Sequence, residues 1–260
     1  MSSLKQRIDS YQQVSDYKLL NKLPIIITVN GKNFFKLTSL LDKPYSDLFA
    51  EAMYSTTMKL CSEIEGAVFA YQHNDEIVII ARNDQSLETE AWYDNKIQKI
   101  ASATASIATF NFQNFALAND LGIIGDSIFT SSVFSVPNIS EVINTIIYYQ
   151  QFNFHKSIQF ACFYELLKKY DKNTIKDMLT GLSIDEKINL LYQETNIEFN
   201  SYPLIFRRGA ACYKIPKITD HGNVKNKWII NSELPIFTKD QSFLSNILKN
   251  GSDLFRSNSF

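Results

Sequence analysis

The sequence predicts an α+β fold: a ferredoxin-like βαββαβ layer followed by an additional helical and strand lobe. Three observations predict it. Short β-branched runs alternate with amphipathic helical stretches in the order strand, helix, strand, strand, helix, strand over the first half of the chain. The polar, acidic segment Gln72–Glu76 separates two apolar runs, as the tip of a hairpin would. Beyond Pro137 the pattern turns to helices and then to short strands.

Leu4, Ile8, Tyr11 and Val14 recur at roughly helical spacing, so residues 1–20 open with a helix. Pro24 then introduces Ile25-Ile-Ile-Thr-Val29, a β-branched run that ends at Asn30-Gly31 and reads as a buried strand. Pro44-Tyr-Ser-Asp47 reads as a helix start, with Leu48, Phe49, Met53, Thr56 and Leu60 continuing the period until Gly66 breaks it. Ala67–Tyr71 and Ile77–Ala81 form the hairpin strands, a helix runs from about Leu87 to Phe112, and Asp126–Ser132 supplies a fourth strand. In the second lobe, Ser140 caps a helix bearing Val142, Ile143, Ile146 and Ile147. Further helices span His155–Tyr170, Asn173–Leu179 and Ile184–Glu194. Leu204–Phe206, Ala210–Ile215 and Lys227–Ile230 read as strands. Residues 1–137 and 138–260 are thus taken as two lobes, or as one compact unit.

In this topology the first and third strands are antiparallel neighbours, so Asn30-Gly31 should meet Asp75-Glu76 at one end of the sheet. Composition narrows the remaining possibilities. With 260 residues, 45% of them hydrophobic and 20% charged, the chain can bury a sizeable core. A net charge of −1 gives no bulk attraction to a polyanion, so contact with nucleic acid requires a local patch. Arg207, Arg208, Lys214, Lys217, Lys225 and Lys227 form one, opposed only by Asp220, and Lys168-Lys169 is a weaker second. Cys61, Cys162 and Cys212 are far apart and fit no disulfide framework, pointing to a reducing, cytoplasmic setting. With the three His they show no zinc-site spacing. No apolar run reaches the ~20 residues of a membrane span, and the first residues lack an apolar signal core. His73 and His221 read as solvent-facing, and Phe35, Phe152 and Phe154 as packing residues or as a platform for bases. Taken alone, Asp75-Glu76 and Asn30-Gly31 read more readily as ordinary turn chemistry than as a site.

Several segments, in order, resemble the tRNA-histidine guanylyltransferase family. Asn30-Gly-Lys-Asn-Phe-Phe35 stands where the family carries D-G-R/K-x-F-H, and Tyr71-Gln-His-Asn-Asp-Glu76 where it carries Y-x-x-S-D-E. Phe129-Thr-Ser-Ser-Val-Phe134 with Pro137 is similar to F-D-A/S-R-x-F-x-x-P. Tyr148-Tyr-Gln-Gln-Phe-Asn-Phe-His-Lys-Ser-Ile158 is similar to W-R-Q-x-D-A-x-R-N-S-I. Arg207–Lys214 and Lys227–Phe237 also resemble family segments. The polar positions depart most. Asn30 replaces a metal-binding aspartate, Phe35 a histidine, Asn74 a serine, and Thr130 and Ser132 an aspartate and an arginine. Tyr149, Phe152 and His155 replace an arginine, an aspartate and an arginine, while Gly31, Lys32, Asp75, Glu76 and Ser157 remain.

The resemblance implies a palm, as in nucleotidyltransferases, over 1–137 and a fingers-like helical and strand lobe over 138–260. It implies a Mg²⁺-dependent enzyme that adds nucleotides to RNA 5′ ends in the 3′-to-5′ direction after activating the 5′ end with ATP or GTP. Asp75, Glu76 and Asn30 would be the catalytic residues, with Asp75, Asn30 and Gly31 on the metal. Gly31, Lys32, Asn33, Phe34, Phe35 and Asn74 would bind the nucleoside triphosphate. His155, Lys156, Ser157, Arg207, Arg208 and Lys214 would meet RNA, most naturally a tRNA 5′ end, and the family implies a homo-oligomer, a tetramer. Asn30 offers a neutral oxygen where two-metal phosphoryl transfer uses a carboxylate. The alternative is therefore a catalytically impaired relative that serves as an RNA- or nucleotide-binding module. An enzyme of another substrate class on the same palm, such as a nucleotide cyclase-like one, is a third reading.

Overall fold

The computed structural model describes residues 3–86, 88–121, 127–218 and 224–250. β1 (Ile25–Lys32), β2 (Ala67–His73), β3 (Glu76–Ala81), β4 (Ile128–Ser135), β5 (Ala210–Ile218) and β6 (Val224–Asn231) form one sheet in the order β4-β1-β3-β2-β5-β6. Every neighbouring pair is antiparallel. The first four strands with α3 (Asp47–Glu63) and α4 (Ile97–Ala118) make the expected ferredoxin-like layer. β5 and β6 extend that same sheet from beyond residue 137.

The pleat sorts the strand residues. Ile25, Ile27 and Val29 of β1 and Ile77 and Ile79 of β3 enter a core with α3 and α4. Ile26, Val78 and Ile80 face the opposite way, toward α5 (Ile139–Leu166) and α9 (Ser242–Asn250). A third core joins the C-terminal half of α5 to α6 (Lys172–Leu179), α7 (Ile184–Thr195) and α8 (Leu204–Arg208). α3 begins where Ser46 accepts a hydrogen bond from the Phe49 amide, and it buries Met53, Thr56 and Leu60. The chain then turns at Gly66, whose positive φ of 76° and proximity to the Arg82 carbonyl leave no room for a side chain.

Several boundaries differ from the sequence expectation. The stretch read as two helices, from Ser140 and from His155, is the single helix α5, because no Gly or Pro interrupts it; Asn138, not Ser140, caps it. Leu204–Phe206 is helical rather than a strand: Pro203 precedes it with φ preset at −53°, and Gly209 at φ 79° ends it. The helix expected from Leu87 starts at Ile97, since Tyr93 and Asp94 take left-handed backbone angles in a short 3-10 turn; Leu87 itself lies outside the described residues. The fourth strand begins at Ile128, and its expected start at Asp126 also lies outside them. α1 covers only Leu4–Gln13, opened by a Ser3–Gln6 capping box. α2 (Phe34–Thr38) and α9 are additions to the expected set.

Candidate active site

β1 delivers Asn30 and Gly31 to the hairpin tip. Asn30 lies directly across the ladder from Glu76, and the Gly31 amide donates to the Asp75 carbonyl at 2.9 Å. On the other side of β1, Asn30 opposes Thr130, whose hydroxyl donates to the Asn30 carbonyl at 3.3 Å. By the alternation of the pleat, Asn30, Glu76, Thr130 and Ser132 share one face of the sheet, the face turned away from α3 and α4. The turn itself is Asn74-Asp75. Asn74 takes φ 49°, a conformation that asparagine tolerates, which accounts for Asn in the place of the family's serine.

Packing fixes the segment just past β1. Phe34 is 4% exposed and meets Phe112 and Phe129 with ring centroids 4.9 Å apart, and Phe49 at 6.0 Å. A side chain on Gly31 would strike the Phe34 ring, so the glycine permits that close approach. Phe35 points the other way, 73% exposed. It borders a cavity of about 480 Å³ between the sheet end and the helical lobe, together with Lys43, Tyr45, Gln72, Asp75 and Phe160. The walls are largely aromatic. The Gln72 amide donates to the Asn74 carbonyl at 2.7 Å, leaving its side-chain oxygen buried without a partner among the described residues. Lys32 is exposed at the end of β1, and Asn33 caps α2 with φ 64°.

α5 lays a second polar layer over the hairpin. Asn153 donates to a Glu76 carboxylate oxygen at 2.9 Å. One turn on, Ser157 meets His73 Nε2 at 2.9 Å and donates to the Phe206 carbonyl at 2.6 Å. Lys156, between them, rests over the Phe152 ring at 4.5 Å. Burial raises the Asp75 carboxyl above its usual range, while its own backbone amide and the nearby Lys156 charge pull it back. His73 is not solvent-facing: it is fully buried, its Nε2 lies 2.8 Å from the Phe206 carbonyl, and desolvation pushes it down to about 4. The sequence hides this because His73 and Ser157 are far apart in the chain. The i, i+4 placement of Asn153 and Ser157 on one helix face is the available signal.

Some expected RNA contacts are engaged elsewhere. Ser157 is fully buried and offers RNA no surface. Arg207 donates to the Tyr202 carbonyl at 2.8 Å and to the Asn200 side-chain oxygen at 3.0 Å, and Arg208 donates to the Leu234 carbonyl at 3.0 Å. These bonds brace the α8 region. Lys214 sits over Trp228 at 4.8 Å, whereas Lys217, Lys225 and Lys227 lie exposed on the opposite face of the β5–β6 hairpin. His155 is exposed on α5. Asp220 and His221 lie outside the described residues.

The family model "Thg1: tRNAHis guanylyltransferase" matches residues 5–137, the whole stretch that carries β1, the acidic hairpin and β4. The chain belongs to this family. "tRNA(His) guanylyltransferase 1" of Arabidopsis thaliana is 26% identical over 216 residues; the match takes in 81% of this chain but 37% of that relative's length. Two solved structures of a bacterial tRNA(His) guanylyltransferase (Thg1)-like protein superpose on nearly the whole chain. The complex with ATP gives a TM-score of 0.80 at 28% identity, covering 94% of this chain and 99% of that one. The complex with GTP gives 0.73 at 25% identity, covering 95% and 99%. Membership in the family fits the departures seen here: the palm is kept while polar residues at the end of β1 and along the edge strand β4 have changed. No helix among the described residues is long and apolar enough to cross a membrane.

Proposed function

We propose that this Thg1-family chain is a nucleotidyltransferase that adds nucleotides to RNA 5′ ends in the 3′-to-5′ direction. The observation that carries the reading is the meeting of Asn30-Gly31 with Asp75-Glu76, of which Asp75 also lines the cavity. The cavity suits a nucleoside in size and lining. Phe35 offers a stacking face, and the orphaned Gln72 oxygen would accept a hydrogen bond from a base or ribose. The likeness to ATP- and GTP-bound relatives supports a nucleoside triphosphate as the ligand.

The donor set suits one Mg²⁺. Among the described residues no three His, Cys, Asp or Glu side chains converge on a site, so a cation would rest on Asp75, the Asn30 oxygen, the Gly31 carbonyl and the nucleotide's phosphates. Bound there, Mg²⁺ would neutralise phosphoryl charge. In the activation step a 5′-phosphate oxygen attacks the α-phosphorus of ATP (or GTP) and pyrophosphate leaves. In the transfer step the 3′-hydroxyl of the incoming nucleoside triphosphate attacks the activated 5′-phosphorus, and AMP (or GMP) leaves. Glu76, oriented by Asn153 and directly across the ladder from Asn30, would steer the attacking hydroxyl. Lys156 supplies a cation at the point where the family's arginines are replaced by Tyr149 and His155. Lys32 faces solvent where a triphosphate would approach. Catalysis here is positioning and charge stabilisation, with no protein nucleophile.

Incubation with labelled nucleoside triphosphate, Mg²⁺ and 5′-monophosphorylated RNA tests the reading; incorporation that Asp75→Ala abolishes is expected. One observation favours a second reading, a non-catalytic RNA- or nucleotide-binding module: the carboxylate missing at Asn30. No product from the natural chain, but product from Asn30→Asp, would establish that module and overturn the enzyme.

A further inference from the structure

The end of the sheet opposite the acidic turn carries a second group of oxygens. Ile25 pairs with Ala81 there, ~17 Å along the ladder from the pairing of Asn30 with Glu76. A cavity of about 10 Å³ lies beside this end, on the side of the sheet that α4 covers, with Ile27 and Ile100 in its floor. That volume admits one water-sized guest. Asn83 stands in the wall, 5% exposed, its Oδ1 buried and without a hydrogen-bond partner among the described residues. Glu65 and Glu90 line the same cavity and both reach solvent. Neither forms an ion pair among the described residues. Arg82 also lines it, yet its guanidinium is committed: Nε and Nη2 donate to Asp84 at 2.9 and 2.8 Å, and Nη1 to the Leu248 carbonyl at 2.7 Å. The charges left over are two carboxylates.

We infer that this cavity binds a hard divalent cation of Ca²⁺ size, held by the Glu65 and Glu90 carboxylates and the Asn83 amide oxygen. A buried amide oxygen with nothing to accept costs free energy. Water bound there would satisfy it but leave two like charges on one cavity uncompensated, whereas a cation answers all three groups at once. Two oxygens from each carboxylate and one from the amide make up to five, in an irregular set that solvent completes. Ca²⁺ tolerates such a shell, while Mg²⁺ demands a near-ideal octahedron. The apolar floor strengthens the attraction by lowering the local dielectric.

The backbone holds the three donors near one another. The Arg82 amide donates to the Gly66 carbonyl at 2.8 Å, tying the turn that carries Glu65 to the strand end that carries Asn83. Glu90 lies on the segment between β3 and the 3-10 turn, which Lys22 anchors by donating to the Ser86 and Thr89 carbonyls at 2.8 and 2.7 Å. A bound cation therefore pins that segment to the end of α3. With only two carboxylates the site belongs to the weak class, with a Kd on the order of 10⁻⁴ M. None of this depends on the activity proposed above, whose metal would sit at the other end of the sheet.

Trp92 supplies the readout, because it lines this cavity while Trp228, the chain's other tryptophan, does not. Tb³⁺, a luminescent stand-in for Ca²⁺, is added to the full chain under tryptophan excitation. Saturable emission that excess Ca²⁺ displaces is expected. Asp75→Asn should leave it unchanged, which separates this site from the one proposed for catalysis. Trp92→Phe should remove most of the emission, and Trp228→Phe should not. Glu65→Gln and Glu90→Gln should each weaken Tb³⁺ binding at least ~10-fold, and Asn83→Asp, which keeps the oxygen and adds a charge, should tighten it by a similar factor. Ca²⁺ should also raise the melting temperature of the natural chain but not that of the Glu65→Gln, Glu90→Gln double variant. No displaceable emission from the natural chain, emission lost with Asp75 or Trp228 instead of Trp92, or binding indifferent to both glutamine variants would each overturn the proposal.

Discussion

The Gly31 amide donates to the Asp75 carbonyl across 2.9 Å, so the end of β1 and the acidic turn hold each other through their backbones. Side chains at positions 30, 75 and 76 can therefore be exchanged without loosening the loop. Asn30→Asp would place a carboxylate directly opposite Glu76. Without metal, that like-charge pair should cost about 0.5–1 kcal/mol of stability. With millimolar Mg²⁺ the loss should reverse, and the melting temperature should rise more than that of the natural chain. Equal Mg²⁺ responses from the two proteins would remove Asn30 from the metal site.

His73 makes stability depend on pH. Burial lowers its folded pKa to about 4, against ~6.5 in the unfolded chain. Between those values the unfolded state binds a proton that the folded state refuses, so stability falls as pH drops from about 6.5 to 4. The shift is worth about 3 kcal/mol at full effect. Denaturant titrations at pH 7.5, 5.5 and 4.5 should show the decline, and His73→Gln should flatten it. An equally steep decline in the variant would mean that other groups carry the effect.

Phe34 and Phe35 are adjacent and opposite in role. Phe34→Ala empties the centre of a four-ring aromatic cluster and should cost about 3–5 kcal/mol. Phe35→Ala removes only a cavity wall, should change stability by less than about 0.5 kcal/mol, and should weaken nucleoside triphosphate binding roughly tenfold. Calorimetry with ATP and GTP separates the two. Unchanged nucleotide affinity in Phe35→Ala would place the base elsewhere.

The basic patch divides by what each cation touches. Lys217 and Lys225 are cross-strand partners on the β5–β6 hairpin and Lys227 shares their face, a concentration of like charge that an RNA backbone would relieve. Replacing all three with Gln should weaken RNA binding and flatten its dependence on salt. Replacing Arg207 and Arg208 with Ala should instead lower stability, since both brace carbonyl oxygens near α8. RNA affinity that falls only in the arginine variant would reverse this assignment.

Much of the fold is legible in the sequence because it depends on periodicity and strand order. Ile25–Val29 and Ile77–Ala81 announce themselves by composition, and once βαββαβ is recognised, Asn30 must lie beside Glu76. What escapes reading depends on contacts between distant segments. His73 is polar and sits near a turn, so local chemistry places it outside; only Ser157 and Phe206, brought over it by α5 and α8, bury it. Arg207 and Arg208 look like RNA contacts until the carbonyls of Tyr202 and Leu234 appear in front of them. The cavity, with walls from α2, α3, the hairpin, α5 and α8, has no local signature at all.

Along β1 the pleat locks Ile25, Ile27 and Val29 into one core and Ile26 into the other, while Asn30 at the strand's end, with Thr130 and Ser132 exposed on the edge strand β4, belongs to neither. Heredity could therefore rewrite those positions without unfolding the protein, which is where this chain has diverged from its family. The same freedom is open to the experimenter. Randomising positions 30, 130 and 132 together would sample new chemistries on an unchanged scaffold, and a lost activity could be sought again there without rebuilding anything underneath.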